Sequence, residues 1–445
     1  MQQDVIRKYA APVPRYTSYP TAPHFSPRID AQTYEGWLGQ LPEGLPLSLY
    51  VHVPYCTKLC WYCGCNTKAT RRYGPVADYV AALKREIEMV GSRVPQRHSV
   101  AHMHWGGGSP NILSAPDIRA LAAHLRRNFR CADDMELAVE IDPRDFDEPR
   151  ADALHDAGVN RISLGVQDFR EDVQKAIGRM QSFEDTARVI EAFRDRGVPS
   201  INIDLVYGLP LQTVESVDET IRQVITLSPD RVAIFGYAHL PERLRHQRLI
   251  DGKALPDAVM RFTQATRMAE RLVDAGYVRV GLDHYAKPTD SLAIGAVSRN
   301  FQGYTSDAVE TLIGLGASAI GQLPQGFVQN VTAASEYARR INAGELATAR
   351  GFELTEEDKA RGWVIRELMC TLRFSHVKLR EKFGSHADRL IEVAHEVIAD
   401  DTDGLIEPEA DGFRVRDEAR TFLRSICARF DAYLPRSVAR HATGV

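Results

Sequence analysis

Six short apolar runs, each followed by a stretch of helical periodicity, restrict the fold of this chain more than any other feature. The runs lie at residues 47–53, 101–105, 135–141, 161–166, 200–207 and 231–237. Between or after them, residues 76–90, 115–128, 182–196, 214–227 and 257–275 carry apolar side chains at helical spacing. Strand–helix alternation of this kind calls for a parallel sheet covered by helices. Six such units, read as one apolar run per strand, fit either a doubly wound sheet or an incomplete (β/α)6 barrel. Periodicity alone does not separate the two.

The polar residues add more. Just past each strand stands an unusual element: a cysteine loop after the first, Gly106-Gly107-Gly108-Ser109 after the second, Glu140 and Asp142 at the end of the third. Gln167 and Asp168 follow the fourth, Asp204 sits late in the fifth, and Tyr237-Ala238-His239 closes the sixth. In a parallel sheet these ends share one face, where α/β enzymes build their sites.

The cysteine loop, VPYCTKLCWYCGCN, places Cys56, Cys60 and Cys63 at C-x3-C-x2-C spacing. Three thiolates can hold three irons of a [4Fe-4S] cluster and leave the fourth iron open for chemistry. A structural zinc site is the rival reading, but such sites usually pair two knuckles a dozen or more residues apart. Cys65, two residues past Cys63, would point away from it in an extended segment and so falls outside the primary ligand set. Cys131, Cys370 and Cys427 are isolated in apolar surroundings and read as small buried hydrophobes.

A net charge of -4 with both signs interspersed excludes a general nucleic-acid binder. The chain lacks the apolar core of a signal peptide and any stretch near the roughly 18 apolar residues of a spanning helix. Its thiols are not paired along the sequence as in secreted chains. A cytoplasmic protein is expected. Three regions are expected: an extended Pro- and Tyr-rich arm over 1–45, a barrel with a connecting segment over 46–350, and a mostly helical domain over 351–445. Within the last, IEPEADGFRVR reads as a hairpin.

Several residues have bland readings as good as functional ones. The glycine run is an ordinary turn unless its place at a strand end brings backbone close to a ligand. Glu140 is either a surface ion pair or an acceptor for ribose hydroxyls. Gln167, Arg179 and Asp204 each suit a satisfied polar group in a loop. His102 and His104 alternate along a strand and read as packing or capping, while His239 and His284 are catalytic candidates. Lys58, Lys68, Arg71 and Arg72 form either a solvated face or a dock for an acidic electron donor.

Taken in order, VPRYTSYPTA, YVHVPYCTKLCWYCGCN, HWGGGSP, VEIDPR, LGVQDF, NIDLVYGLP, YAHLP, DHYA and RNFQGY resemble the radical S-adenosylmethionine enzymes, and within them the oxygen-independent coproporphyrinogen III oxidases. The resemblance runs from about residue 9 to the C-terminus. It implies a three-quarter, TIM-like (β/α)6 barrel with a [4Fe-4S] cluster on Cys56, Cys60 and Cys63. It also implies reductive cleavage of S-adenosylmethionine to a 5'-deoxyadenosyl radical, and conversion of two propionates of coproporphyrinogen III to vinyl groups, giving protoporphyrinogen IX. Carried over, Tyr50, Gly107, Glu140 and Ile320 match positions around one S-adenosylmethionine. Tyr62, Gly108, Ser109, Gln167, Arg179, Asp204 and Ala238 match positions around a second. Phe301 and Gln302 match a pair near the reaction centre. A reducing donor such as flavodoxin or an equivalent, and a monomeric state, are expected. A haem chaperone of the same superfamily is the alternative, but such proteins lack the RYTSYPT arm and Cys65. A radical enzyme that opens or methylates a tetrapyrrole is a further rival. Three departures from the family pattern stand out: a shortened stretch between DHYAKP and RNFQGY, Ser109 where Thr is frequent, and Tyr62 where Phe is frequent.

Overall fold

The computed structural model describes residues 1–95, 97–306 and 309–434. Positions 96, 307 and 308 of the expected barrel region and 435–445 of the expected helical domain lie outside the described residues. The six runs form strands Leu47–Val53, Val100–Gly107, Cys131–Ile141, Arg161–Gln167, Ser200–Tyr207 and Arg231–Gly236, hydrogen-bonded side by side in that order and all parallel. Helices Gly74–Gly91, Ala115–Asn128, Glu148–Asp156, Phe183–Asp195, Val214–Leu227 and Ala258–Asp274 link or follow them. The sheet is an open, three-quarter barrel. Its two edges are Val278–Val280 and Thr348–Glu353.

The strands are not the uniformly apolar runs that the sequence predicts. In the fourth and fifth strands burial alternates with period two. Ile162, Leu164, Ile201 and Ile203 lie fully buried in the main core, whereas Arg161, Ser163, Asn202 and Asp204 are only partly covered. The partly covered side chains belong to the barrel interior. Near the strand starts, Arg161 pairs with Glu136 at 2.8 Å, and Arg231 pairs with Asp290 at 2.8 Å.

Three expectations are corrected. The first 45 residues are not simply extended: Gln3–Tyr9 and Ala31–Gly39 are helices, the second capped by Asp30, which accepts from Thr33 N at 2.9 Å. The connecting segment within 46–350 is not merely a link but contributes strands to the same sheet. Leu312–Leu315 pairs parallel with the first strand, and Ile320–Leu323, Gly326–Asn330 and Thr348–Glu353 extend it antiparallel. The end of the expected helical domain, 417–430, is not one helix but 3-10 turns around a short helix, Leu423–Cys427.

Two hydrophobic cores result. One runs from Ile29 to Ala347 through the barrel and its helices. The other gathers residues between Ala360 and Phe430 and is completed by Ile6, Tyr16 and Tyr19 from the chain's beginning. The hairpin strands Ile406–Glu409 and Gly412–Val415 form as expected, joined by Arg373–Ser375.

Candidate active site

The cysteine loop leaves the first strand at the C-terminal face of the barrel. Its backbone is pinned to several elements: Trp61 N donates to Ile177 O at 2.8 Å, Gln247 Nε2 donates to both Tyr62 O and Ala238 O at 3.1 Å, and His246 Nε2 lies 2.7 Å from Cys63 O. Cys60 is buried, and two guanidiniums reach its sulfur, Arg144 Nη2 at 3.3 Å and Arg179 Nη1 at 3.5 Å. Cys56 Sγ lies 3.3 Å from Thr67 Oγ1, and burial pushes its thiol up to about 12.

Cys65 does not point away from Cys63. The chain bends, Cys65 N donates to Cys63 Sγ at 3.4 Å, and the hydrogen bond from the Cys65 thiol draws Cys63 down to about 7 against the effect of burial. Cys65 is the exposed member of the four. Among the described residues, no three His, Cys, Asp or Glu side chains converge as ligands of one metal ion. Thiolates on a four-iron cluster each take a different iron and stand further apart than ligands of a single zinc.

Beside the loop is a buried charge cluster. Asp142 accepts from Arg144 Nη2 at 2.6 Å and from Arg179 Nη2 at 3.3 Å. Burial would raise this carboxyl, but the two arginines, Arg179 foremost, hold it at about 2. Arg179 also donates to Gly165 O at 2.5 Å, and its buried Nε finds no partner. Net positive charge against Cys60 and an orphaned guanidinium donor fit an anionic cluster and a carboxylate-bearing ligand.

Glu140 lies at the third strand's end, its side chain 39 % exposed. It accepts from His104 Nε2 and Gly107 N, both at 3.1 Å. Burial raises its pKa, yet His104 and the amide outweigh this and keep it below the usual carboxylate value. His104 is stacked on Tyr50 with ring centroids 5.9 Å apart, and the Tyr50 hydroxyl lies 3.0 Å from His52 Nδ1. His104 therefore belongs to the site, contrary to its reading as a packing residue. It holds Glu140.

The glycines have a reason within the protein itself. A Cβ on Gly107, whose φ is +108°, would lie 2.3 Å from His52 Cε1, and one on Gly106 would lie 2.5 Å from Glu140 Oε1. Gly108 would meet Tyr55 O at 2.5 Å. The run lets His52, Glu140 and the cysteine loop close over the second strand.

Other expected residues are placed as follows. Ser109 is buried and donates its hydroxyl to Asn111 Oδ1 at 2.5 Å. Gln167 is buried with a left-handed φ of +70°, at a break in register beside Gly165. Asp204 accepts from Ser163 Oγ at 2.9 Å and Asn202 Nδ2 at 2.8 Å, and burial raises it. Ile320 begins the strand beyond Leu312–Leu315 and is half-buried. Phe301 packs edge-on against Phe327, with centroids 5.9 Å apart. Phe301 and Gln302 line a cavity of about 610 Å³ that also reaches Cys65.

Comparison with known proteins agrees with this geometry. Residues 50–224 match the radical SAM superfamily. Over 450 aligned residues, covering 100% of both chains, this chain is 45% identical to the oxygen-independent coproporphyrinogen III oxidase of Bradyrhizobium diazoefficiens. The chain belongs to the oxygen-independent coproporphyrinogen III oxidases. Its relative in Pseudomonas aeruginosa, of the same name, is 41% identical over 97% of this chain and 96% of its own. The solved structure of coproporphyrinogen III oxidase from Escherichia coli, described as a radical SAM enzyme, superposes with a TM-score of 0.90 at 37% identity, covering 94% of this chain and 97% of that one. The family assignment spans the N-terminal arm as well as the barrel.

Within the family fold, sequence reasoning missed His104, Arg144, His246 and Gln247 as supports of the site. Arg144 stands two residues past Asp142 in VEIDPR, a spacing that allows the pair. His246 and Gln247 carried no readable signal, because their role comes from a 3-10 turn, Arg245–Leu249, that crosses under the cysteine loop.

Proposed function

We propose that this chain converts two propionate side chains of coproporphyrinogen III to vinyl groups without O2, giving protoporphyrinogen IX. The observation that carries this is an arginine-lined cavity, walled by Phe235, Tyr237, Phe262 and Phe301, that reaches the cysteine loop in a chain of this family. When bound, a [4Fe-4S] cluster with S-adenosylmethionine supplies a one-electron route to a radical that takes hydrogen from the propionate β-carbon. Cys56, Cys60 and Cys63 are the cluster ligands in this reading. Arg144 and Arg179 stabilise charge on Cys60. Tyr50, Gly107, Glu140 and Ile320 hold one S-adenosylmethionine, with the half-exposed Glu140 carboxylate suited to ribose hydroxyls.

Tyr62, Gly108, Ser109, Gln167, Arg179, Asp204 and Ala238 hold a second, and Arg179 supplies the cation for its carboxylate. Phe301 and Gln302 face the tetrapyrrole. The deciding experiment is mass analysis of the product formed anaerobically from coproporphyrinogen III with S-adenosylmethionine and dithionite. Loss of two CO2 and four hydrogens is expected. Haem transfer without CO2 release would select a chaperone instead.

The protein works as a cytoplasmic monomer in this reading. All seven cysteines are free, and among the described residues no helix is long and apolar enough to cross a membrane. Its electron donor is an acidic flavodoxin-like protein that docks on Lys58, Lys68, Arg71 and Arg72, all exposed around the cysteine loop. Charge reversal at Arg71 and Arg72 is expected to slow turnover with such a donor about ten-fold and to leave the dithionite-driven rate unchanged. Equal rates with the protein donor would place the dock elsewhere.

A further inference from the structure

Four arginines from four distant stretches of the chain line the same cavity: Arg15 in the N-terminal arm, Arg261 on helix Ala258–Asp274, Arg299 in the strand Ser298–Asn300, and Arg424 on the short helix Leu423–Cys427. Several are anchored so that the guanidinium is held in place. Arg15 Nη2 donates to Gly236 O at 2.8 Å, Arg261 Nη2 donates to Tyr237 O at 3.0 Å, and Arg299 Nη2 donates to Arg15 O at 3.0 Å. Arg261 and Arg299 also lie over the Tyr207 and Tyr304 rings, at 5.6 and 4.8 Å. A buried Nε of Arg299 has no partner.

The surrounding charge does not cancel them. The cavity wall holds six arginines, Arg279 and Arg420 being the other two, against four carboxylates, Glu270, Asp283, Asp417 and Glu418. Of these, Asp417 is bound to Arg420 at 2.7 Å, while Asp283, 2.8 Å from His284, offsets only part of the charge of Arg15, Arg299 and Arg424. Burial, aided by the neighbouring charges of Arg15 and Arg261, pushes Arg424 down to about 10. Repulsion of this kind is relieved by an anion.

We propose that Arg15, Arg261, Arg299 and Arg424 form a cradle that binds the propionate carboxylates of the tetrapyrrole substrate, with the barrel, the arm and the C-terminal core each supplying part of it. The proposal rests on the function given above and names the substrate-holding residues for it. A planar guanidinium fork matches a carboxylate in two hydrogen bonds, and aromatic walls suit the macrocycle between them. The cradle explains why the arm is tied to the far end of the chain: Arg15 stands beside Tyr16, which packs in the C-terminal core.

The test is fluorescence titration of the full-length protein with coproporphyrin III, the oxidised and unreactive tetracarboxylate, alongside steady-state kinetics with coproporphyrinogen III. Arg15→Ala, Arg261→Ala, Arg299→Ala and Arg424→Ala are each expected to weaken coproporphyrin III binding about ten- to hundred-fold, raising KM more than they lower kcat. Iron content and substrate-free cleavage of S-adenosylmethionine should stay at the wild-type level. Arg261 and Arg424 are buried and their variants can misfold, so the exposed Arg15 carries the test: Arg15→Lys should restore part of the affinity. Wild-type affinity in Arg15→Ala would overturn the cradle and leave the proposed reaction standing. A wild-type protein that binds coproporphyrin III but yields no CO2 from coproporphyrinogen III would overturn the reaction instead.

Discussion

Replacing Cys56, Cys60 or Cys63 by alanine is expected to strip the protein of iron and of all turnover, while Cys65→Ser retains a full complement of iron. The three ligands lie within eight residues of one loop, and a site that needs three thiolates has none to spare. Cys60 is the most tightly held, between Arg144 and Arg179. Cys65 is exposed and acts on Cys63 as a hydrogen-bond donor, a role that serine keeps. Iron analysis after anaerobic reconstitution is the readout. Equal iron loss in Cys65→Ser would move Cys65 into the ligand set.

The second large effect is expected at Asp142. Asp142→Ala leaves the buried guanidiniums of Arg144 and Arg179 without their shared countercharge, which should cost about 3–5 kcal/mol of stability. Anaerobic urea unfolding at neutral pH measures it, and a loss under about 1 kcal/mol would show that the arginines relax into solvent. The pH dependence has a definite sign. The folded carboxyl titrates at about 2, below the usual 3.8, so its contribution is complete above about pH 4. It is lost as pH falls through the folded value, and amounts to on the order of 2 kcal/mol. An acid-unfolding curve unchanged by the substitution would contradict the pairing.

The six strands and their helices were legible because each repeats the same contrast of apolar run and helical spacing, and their ends carried the polar residues that mark the mouth. The later strands were not. Leu312–Leu315 and Ile320–Leu323 are four residues each, too short to show a period; Leu312–Leu315 forms because the open edge of the first strand offers backbone partners, and Ile320–Leu323 adds to the new edge that it leaves. The helix Ala31–Gly39 carried a readable cap in Asp30, masked by the density of proline around it. His104 shows a different kind of limit. Alternation along a strand tells which face a side chain takes, and both a packing residue and a partner for Glu140 need the same face. The glycine run was read for what it offers a ligand, whereas His52 and Glu140 already demand it.

The second core, closed by Ile6, Tyr16 and Tyr19 against residues made more than three hundred positions later, sets a timetable for biosynthesis. At ribosomal rates the opening segment waits on the order of tens of seconds before its partners emerge. The barrel can assemble during that interval, but Tyr16, next to Arg15, finds its core only when translation is nearly over. In the proposed cradle Arg424 is the last part to be made, so the cradle is complete only with the last hundred residues.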